Sequence, residues 1–364
     1  MLSCVVIGVG QRGMGYIKYL NLKPLKSIKI VGIMETNFTF RARALQKFPH
    51  LKVFETCNDI LSCETVNCVF VCTQDVFHVS VFRELFESPR YRGLAIVLEK
   101  PVTTNSLDLQ YMKDVFTTLV QKNTTIHVPF VLRFTEIFRA LKKAIVNPKQ
   151  VMQINVELNL SNAHSSSFFR RQHTHEFIQT KVCHDVDLLS FLMRDEITSV
   201  RVERGHTIPP KPKNAKPNCS KCPELPTCPM GFHPKKNNFV VVCDIEDLND
   251  ADKCGFDYPP IPTFYMVICT FKHRKIVAYV TVNMFSKTPN RIVSVVSPGE
   301  VMSCNYQKKT ITKNENIVYK FEKRSIGHQN GDLRFLKRMA ENYTAKTHTL
   351  LKEGIQTSEV LINV

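Results

Sequence analysis

VVIGVGQRGMGY, residues 5–16, runs an apolar segment straight into three glycines spaced G-x-G-x-x-G. A buried strand ending in a glycine turn that opens a helix fits this pattern, but glycine also serves any tight turn, so the neighbouring segments must decide. A dinucleotide site needs a second strand about twenty residues on, closed by an acid that accepts ribose hydroxyls. IKIVGIME supplies both, with Ile28, Ile30, Val31 and Ile33 in the run and Glu35 at its end, while Tyr16, Ile17 and Leu20 mark the helix between. Gly8 then permits the turn, Gly10 admits a pyrophosphate and Gly13 lets the helix pack closely on the sheet. The alternative is a cofactor-free α/β domain with a glycine turn. The Glu35 carboxylate favours NAD over NADP, a preference weakened by Arg12, Arg41 and Arg43 nearby in sequence.

Later segments keep the parallel pattern. VNCVFVCT ends at Thr73, GLAIVLEKP ends in Glu99, Lys100 and Pro101, and TTIHVPFV gives a further strand after a helical stripe of Leu109, Met112, Phe116 and Leu119. Continuous apolar runs of this kind belong to strands covered on both faces, so residues 1–131 read as a doubly wound Rossmann sheet of about six strands. Beyond it, a helix around 135–146 precedes VMQINVELNL, which alternates strictly from Met152 to Leu160 and predicts a half-exposed antiparallel strand. FVVVCDI, FYMVICTF, IVAYVTVN, IVSVV and NIVYKFE then succeed one another without intervening helices. Residues 132–364 therefore read as an α+β substrate and oligomerisation domain on a large, mainly antiparallel open sheet. Such a sheet leaves a face for another copy, and a homo-oligomer, dimer or tetramer, is expected.

Composition narrows the class. The chain has 364 residues, enough for two domains, and its 13 cysteines include Cys4, Cys68, Cys72 and Cys269 within apolar strands, which suggests buried thiols in a reducing compartment. The apolar run at the start is too short for a signal peptide or a membrane span, so a cytoplasmic protein with no membrane partner is expected. The five N-x-S/T sequons, at Asn37, Asn123, Asn159, Asn218 and Asn342, would then go unmodified. Lysine and arginine exceed aspartate and glutamate by 17. They are spread along the chain without an arginine-aromatic block, so a solvated basic surface is favoured over a nucleic-acid site.

Residues 207–238 are rich in proline and lysine and carry Cys219, Cys222 and Cys228 followed by His233. Two readings stand: a structural zinc site on the three thiolates, or free thiols in an irregular insertion.

The segment EFIQTKVCHDVDLLSFLM is the densest in chemistry. Helical spacing puts Phe177, Lys181, His184 and Leu188 on one face, with Asp185 beside them. A histidine near a lysine is held neutral and can take a proton, although a lone helical histidine is more often a core residue. Lys100, at the carboxyl end of a parallel strand, stands where such sheets bind ligands.

The set Gly8-Val9-Gly10-Gln11-Arg12-Gly13, Thr73 with His78, Glu99-Lys100-Pro101, Leu132-Arg133-Phe134, Lys181 to Asp187 and Gly327 to Asp332 resembles the glucose-fructose oxidoreductase and inositol dehydrogenase family over nearly the whole chain. The resemblance implies an NAD(P)-dependent oxidoreductase acting on a sugar, cyclitol or related hydroxylated substrate. It makes Lys100 and His184 the catalytic pair with Lys181 beside them. It puts Gly8, Gly10, Gln11, Arg12, Gly13, Glu35, Thr73, His78, Glu99 and Lys100 at the cofactor, and Arg133 and Asp185 at the substrate. The chain departs from the family at Thr180, where inositol dehydrogenases carry an aspartate, at Phe134, which replaces a tyrosine, and at Gln329 and Asn330, which replace glycines in what reads as a loop before Asp332. A catalytically silent dinucleotide sensor on the same fold is the rival reading.

Overall fold

The computed structural model describes residues 1–22, 24–122, 124–160, 178–204, 207–208, 234–235, 238–239, 261–262, 264–283, 289–321, 328–341 and 348–362. Two compact units emerge. One gathers Met1–Lys143, Gln179–Leu192 and Glu322–Asn363; the other holds Ala144–Ile178 and Met193–Phe321.

The first unit is built on six parallel strands: β1 (Leu2–Ile7), β2 (Ile28–Met34), β3 (Lys52–Val53), β4 (Cys68–Val71), β5 (Ala95–Leu98) and β6 (Ile126–His127). Their order is β3-β2-β1-β4-β5-β6, with every pairing parallel. Alternate strand residues enter two different cores: Val5, Val69, Ile96 and Leu98 face one, Cys4, Val6, Phe70 and Val97 the other. This two-sided burial is why the strands read as unbroken apolar runs. Helices α1 (Gln11–Leu22), α2 (Phe38–Lys47), α3 (Cys57–Ser62), α4 (His78–Phe86) and α5 (Ser106–Gln121) connect them, and α6 (Glu136–Ala144) comes next. The stripe predicted for α5 holds, with Leu109, Met112 and Leu119 buried. TTIHVPFV contributes only the two residues of β6, because the chain turns at Val131–Phe134 into a 3-10 segment.

The same unit takes back later parts of the chain. A five-residue π-turn, Ile178–Val182, leads into α7 (Cys183–Met193). Helices α8 (His328–Glu341) and α9 (His348–Ile362) complete it. Gln329 and Asn330, expected in a loop, lie at the start of α8. Gly331 brings α8 so close to the 3-10 segment that a Cβ there would stand 2.6 Å from the Val131 oxygen. Phe335 of α8 packs on Phe134 within one apolar cluster.

The second unit carries β7 (Gln153–Asn159), β8 (Ile197–Arg204), β13 (Phe264–Phe271), β14 (Val277–Asn283), β15 (Asn290–Ser297), β16 (Glu300–Asn305), β17 (Thr310–Lys313) and β18 (Asn316–Lys320) in one sheet, ordered β18-β17-β16-β15-β7-β14-β13-β8. Four two-residue strands make separate small pairs: β9 (Thr207–Ile208) with β12 (Ile261–Pro262), and β10 (Pro234–Lys235) with β11 (Asn238–Phe239). The α/β class with a second, mainly antiparallel open sheet thus holds. One detail is corrected: β7, expected to be antiparallel, runs antiparallel to β15 but parallel to β14. Its buried face is Ile154, Val156 and Leu158, while Met152 precedes the strand and is exposed.

Candidate functional site

The carboxyl ends of β2, β1, β4 and β5 lie side by side, at the point where strand order reverses between β1 and β4. Open α/β sheets leave a ligand crevice there. Gly8 leaves β1 with φ of +84°, and a Cβ on it would stand 2.8 Å from the Thr73 nitrogen, so only glycine passes between the two strand ends. At Gly13 a Cβ would fall 2.0 Å from the Gly8 oxygen, which is how α1 packs onto the turn. Gly10 is different. A Cβ there meets nothing within 4 Å, so the turn leaves open space above its backbone at the amino end of α1, where an anion is favoured. Gln11 is exposed beside it.

Glu35 stands at the end of β2 and accepts hydrogen bonds from the Val9 N–H at 2.7 Å and the Asn37 N–H at 2.8 Å. The acid at the end of β2 is therefore tied to the glycine turn. The hydroxyl of Thr73 is buried with no hydrogen-bond partner among the described residues. The open cradle over Gly10, the acid at Glu35 and this orphaned hydroxyl fit a dinucleotide.

Arg12 does not point at open solvent. Its Nε donates to Glu99 Oε1 at 2.6 Å, and its two terminal nitrogens donate to Asp332 at 2.9 and 2.7 Å. The Tyr16 hydroxyl accepts from the same guanidinium at 2.8 Å and donates to Glu99 at 2.7 Å. Burial alone would raise the Glu99 carboxyl, but Arg12 and Lys100 outweigh it and hold Glu99 below the usual carboxylate range. Asp332 moves the other way, raised by burial more than Arg12 lowers it. Glu99 has the added pull of Lys100 and then the Tyr16 hydroxyl, which Asp332 lacks.

Lys100 follows Glu99 directly and is half-buried. Its N–H approaches Glu99 Oε2 at 3.3 Å, and its Nζ donates to the Thr180 main-chain oxygen at 3.0 Å. His78 lies 2.8 Å from the Pro101 oxygen through Nδ1 and 3.2 Å from the Thr73 oxygen through Nε2. Burial lowers its pKa, and a neutral ring can donate only one of these bonds. His78 thus braces the chain beside Lys100.

Thr180 belongs to the π-turn, and its oxygen also accepts from the Cys183 thiol at 3.4 Å. Lys181, next in line, is half-buried, with its pKa lowered by burial and then by Lys100. His184 is half-buried on the first turn of α7, its ring edge-on to Phe130 at 6.4 Å. Burial pushes the neighbouring Cys183 thiol up to about 12, so it stays protonated.

Arg133 and Asp185, expected at the substrate, are both buried. The Arg133 fork binds Asp187 at 2.6 and 2.5 Å and also reaches Glu353, and the guanidinium lies over the Phe130 and Phe191 rings, so its described contacts are to side chains of its own unit. Burial, aided by Glu353, raises Asp187 to about 7 against the pull of Arg133, while the same carboxylates raise Arg133. The two bidentate bonds mark the pair as ionic. Phe177, Cys219, Cys222, Cys228 and His233 lie outside the described residues; among those described, no group of three or more His, Cys, Asp or Glu could hold a metal. Nor is any described helix long and apolar enough to cross a membrane.

Reading the sequence assigned no role to Tyr16, Thr180 or Glu353. Thr180 stood out only as a departure from an aspartate, and it acts through its main-chain oxygen; Tyr16 looks like a core position of α1, and Glu353 is 220 residues from Arg133.

Residues 2–130 match the model of an oxidoreductase family described by its NAD-binding Rossmann fold. Inositol 2-dehydrogenase 1 of Paenarthrobacter aurescens is 24% identical over 61% of this chain and 62% of its own length. Inositol 2-dehydrogenase of Pseudarthrobacter chlorophenolicus is 24% identical over 56% and 58%. The chain thus spans about three fifths of the length of these relatives. Among solved structures, myo-inositol dehydrogenase from Lactobacillus casei, in complex with NAD(H) and myo-inositol, covers 99% of this chain and 93% of its own, with a TM-score of 0.65 and 16% identity. UDP-N-acetylglucosamine 3-dehydrogenase from Acidithiobacillus ferrooxidans gives a TM-score of 0.66 at 14% identity, over 100% and 96%. These two share the fold.

Proposed function

We propose that the protein is an NAD(P)-dependent oxidoreductase that moves a hydride between the nicotinamide and a hydroxyl-bearing carbon of a sugar, cyclitol or related substrate. The observation that carries this reading is the hydrogen bond from Lys100 to Thr180, which joins the strand end beside the glycine turn to the start of the His184 helix. A silent sensor would need the turn but not this pair.

The cofactor would rest on Gly8, Gly10, Gln11 and Gly13, with Glu35 at its ribose and Thr73 alongside, and when bound it supplies the hydride acceptor. The chain's own residues manage the proton and the charge. As the hydroxyl is oxidised, its proton must leave, and His184 receives it. The Lys100 ammonium stabilises the oxygen while it carries negative charge, and Lys181 adds a second cation. NAD is favoured over NADP: Arg12 is committed to Glu99 and Asp332, and Arg41 to Glu55, leaving Glu35 facing a 2′-phosphate. The eight described cysteines are all free, which supports a cytoplasmic setting, and the open sheet of the second unit supports a homo-oligomer.

The test is NADH formation from NAD with a panel of cyclitols, sugars and their acids, myo-inositol first. We expect one class to give turnover that Lys100→Met lowers by about 10²-fold or more. Tight NAD binding without turnover on any member would favour the sensor.

A further inference from the structure

The guanidinium of Arg12 sits in the phosphate turn, yet its donors go to two carboxylates distant in sequence and to a phenol. That is an unusual use of a cation at the amino end of a helix, where it opposes the helix dipole. The arrangement has a geometric product instead. Arg12 and Tyr16 hold one oxygen of Glu99, leaving the other to meet the N–H of Lys100 at 3.3 Å. Asp332, from α8, holds the remaining side of the Arg12 fork with two bonds. After Lys100, the Pro101 oxygen is held by His78 at 2.8 Å. Lys100 is thus fixed on both sides along the chain before its Nζ reaches Thr180.

We propose that Arg12 and Asp332 are positioning residues for Lys100, acting through Glu99, and that Arg12 is not a ligand of the cofactor's phosphates. The importance given to Lys100 rests on the oxidoreductase function proposed for the protein; the coupling of Arg12 and Asp332 to it does not. Asp332 matters because it orients the fork. With one carboxylate partner removed, the guanidinium can turn away from Glu99, and Glu99 then loses the donor that sets its second oxygen under Lys100. Lysine at position 12 keeps the charge, but as a point charge it cannot span both carboxylates.

The coupling is read directly by the reactivity of Lys100, with no substrate needed. The full chain is reductively methylated with formaldehyde and cyanoborohydride, and each lysine's rate is measured by mass spectrometry relative to Lys29, which is exposed on β2. In Arg12→Lys and in Asp332→Asn the Lys100 ratio should rise about 10-fold, the weight of one hydrogen bond to a charged group. Asp332→Glu, which retains the carboxylate, should return it to near the wild-type ratio. Arg41→Gln, which breaks only the Glu55 pair, should leave it unchanged. An unchanged Lys100 ratio in both network variants would overturn the proposal. So would a rise shared by all buried lysines, because the network would then serve only to hold the fold. Wild-type protein that fails to bind NADH would instead sink the oxidoreductase reading, whatever Lys100 does.

Discussion

Lys100 Nζ lies 3.0 Å from the main-chain oxygen of Thr180, so the strand-end lysine is tied to the turn that opens the His184 helix. If the two side chains share one proton transfer, Lys100→Met and His184→Asn should each lower turnover by about 10²-fold or more while dinucleotide affinity changes little. The double variant should be only slightly worse than the poorer single one, because either loss already disables the step. Steady-state kinetics beside NADH titration checks this. Additive losses would mean that the residues act independently.

The glycine turn separates folding from binding. Gly13→Ala puts a methyl 2.0 Å from the Gly8 oxygen, so it should shift the melting temperature down by several degrees or prevent folding. Gly10→Ala meets nothing within 4 Å and should fold like wild type. If a pyrophosphate lies against that backbone, the same methyl should weaken NADH by about 10-fold or more. Unchanged affinity in Gly10→Ala would move the phosphates elsewhere.

Arg133 gives a stability prediction where the sequence pointed to substrate. Arg133→Met leaves Asp187 and Glu353 facing each other without their cation, and removing one partner of such a buried pair costs about 3–5 kcal/mol. Thermal denaturation should show it. A variant of normal stability with a raised KM would restore Arg133 to the substrate.

In acid the buried histidines of the first unit destabilise it, opposite in sign to Asp187, which is raised to about 7 and gains stability as it protonates. His127 is lowered to about 4 by burial, and His78 is lowered for the same reason. Their stabilising neutral forms are fully present above the unfolded value of about 6.5, and the contribution is lost as pH falls from there. For His127 the loss reaches about 3 kcal/mol near pH 4, since each unit is about 1.4 kcal/mol. Urea denaturation of wild type and His127→Gln at about pH 7.5 and about pH 5 isolates the histidine: on acidification the variant should lose less stability, or gain more, than wild type.

Much of this was legible in the chain before its structure. Strands β1, β2, β4 and β5 could be read because burial on both faces leaves no polar position to confuse the pattern. The catalytic candidates could be read from motif and spacing. Asp332 could be quoted but not given a partner, because its link to Arg12 crosses 320 residues. The parallel pairing of β7 with β14 escaped notice for a related reason: alternation reports which face is buried and says nothing about strand direction. The two-residue strands β3 and β6 are too short to carry a period.

The account depends first on a dinucleotide at the Gly8–Gly13 turn, and titration of the full chain with NADH and NADPH, monitored by nicotinamide fluorescence, tests it most directly. The geometry at Glu35 predicts micromolar NADH binding, at least about 10-fold tighter than NADPH, with the preference narrowed in Glu35→Ala. Binding of neither dinucleotide below about 1 mM would contradict the account.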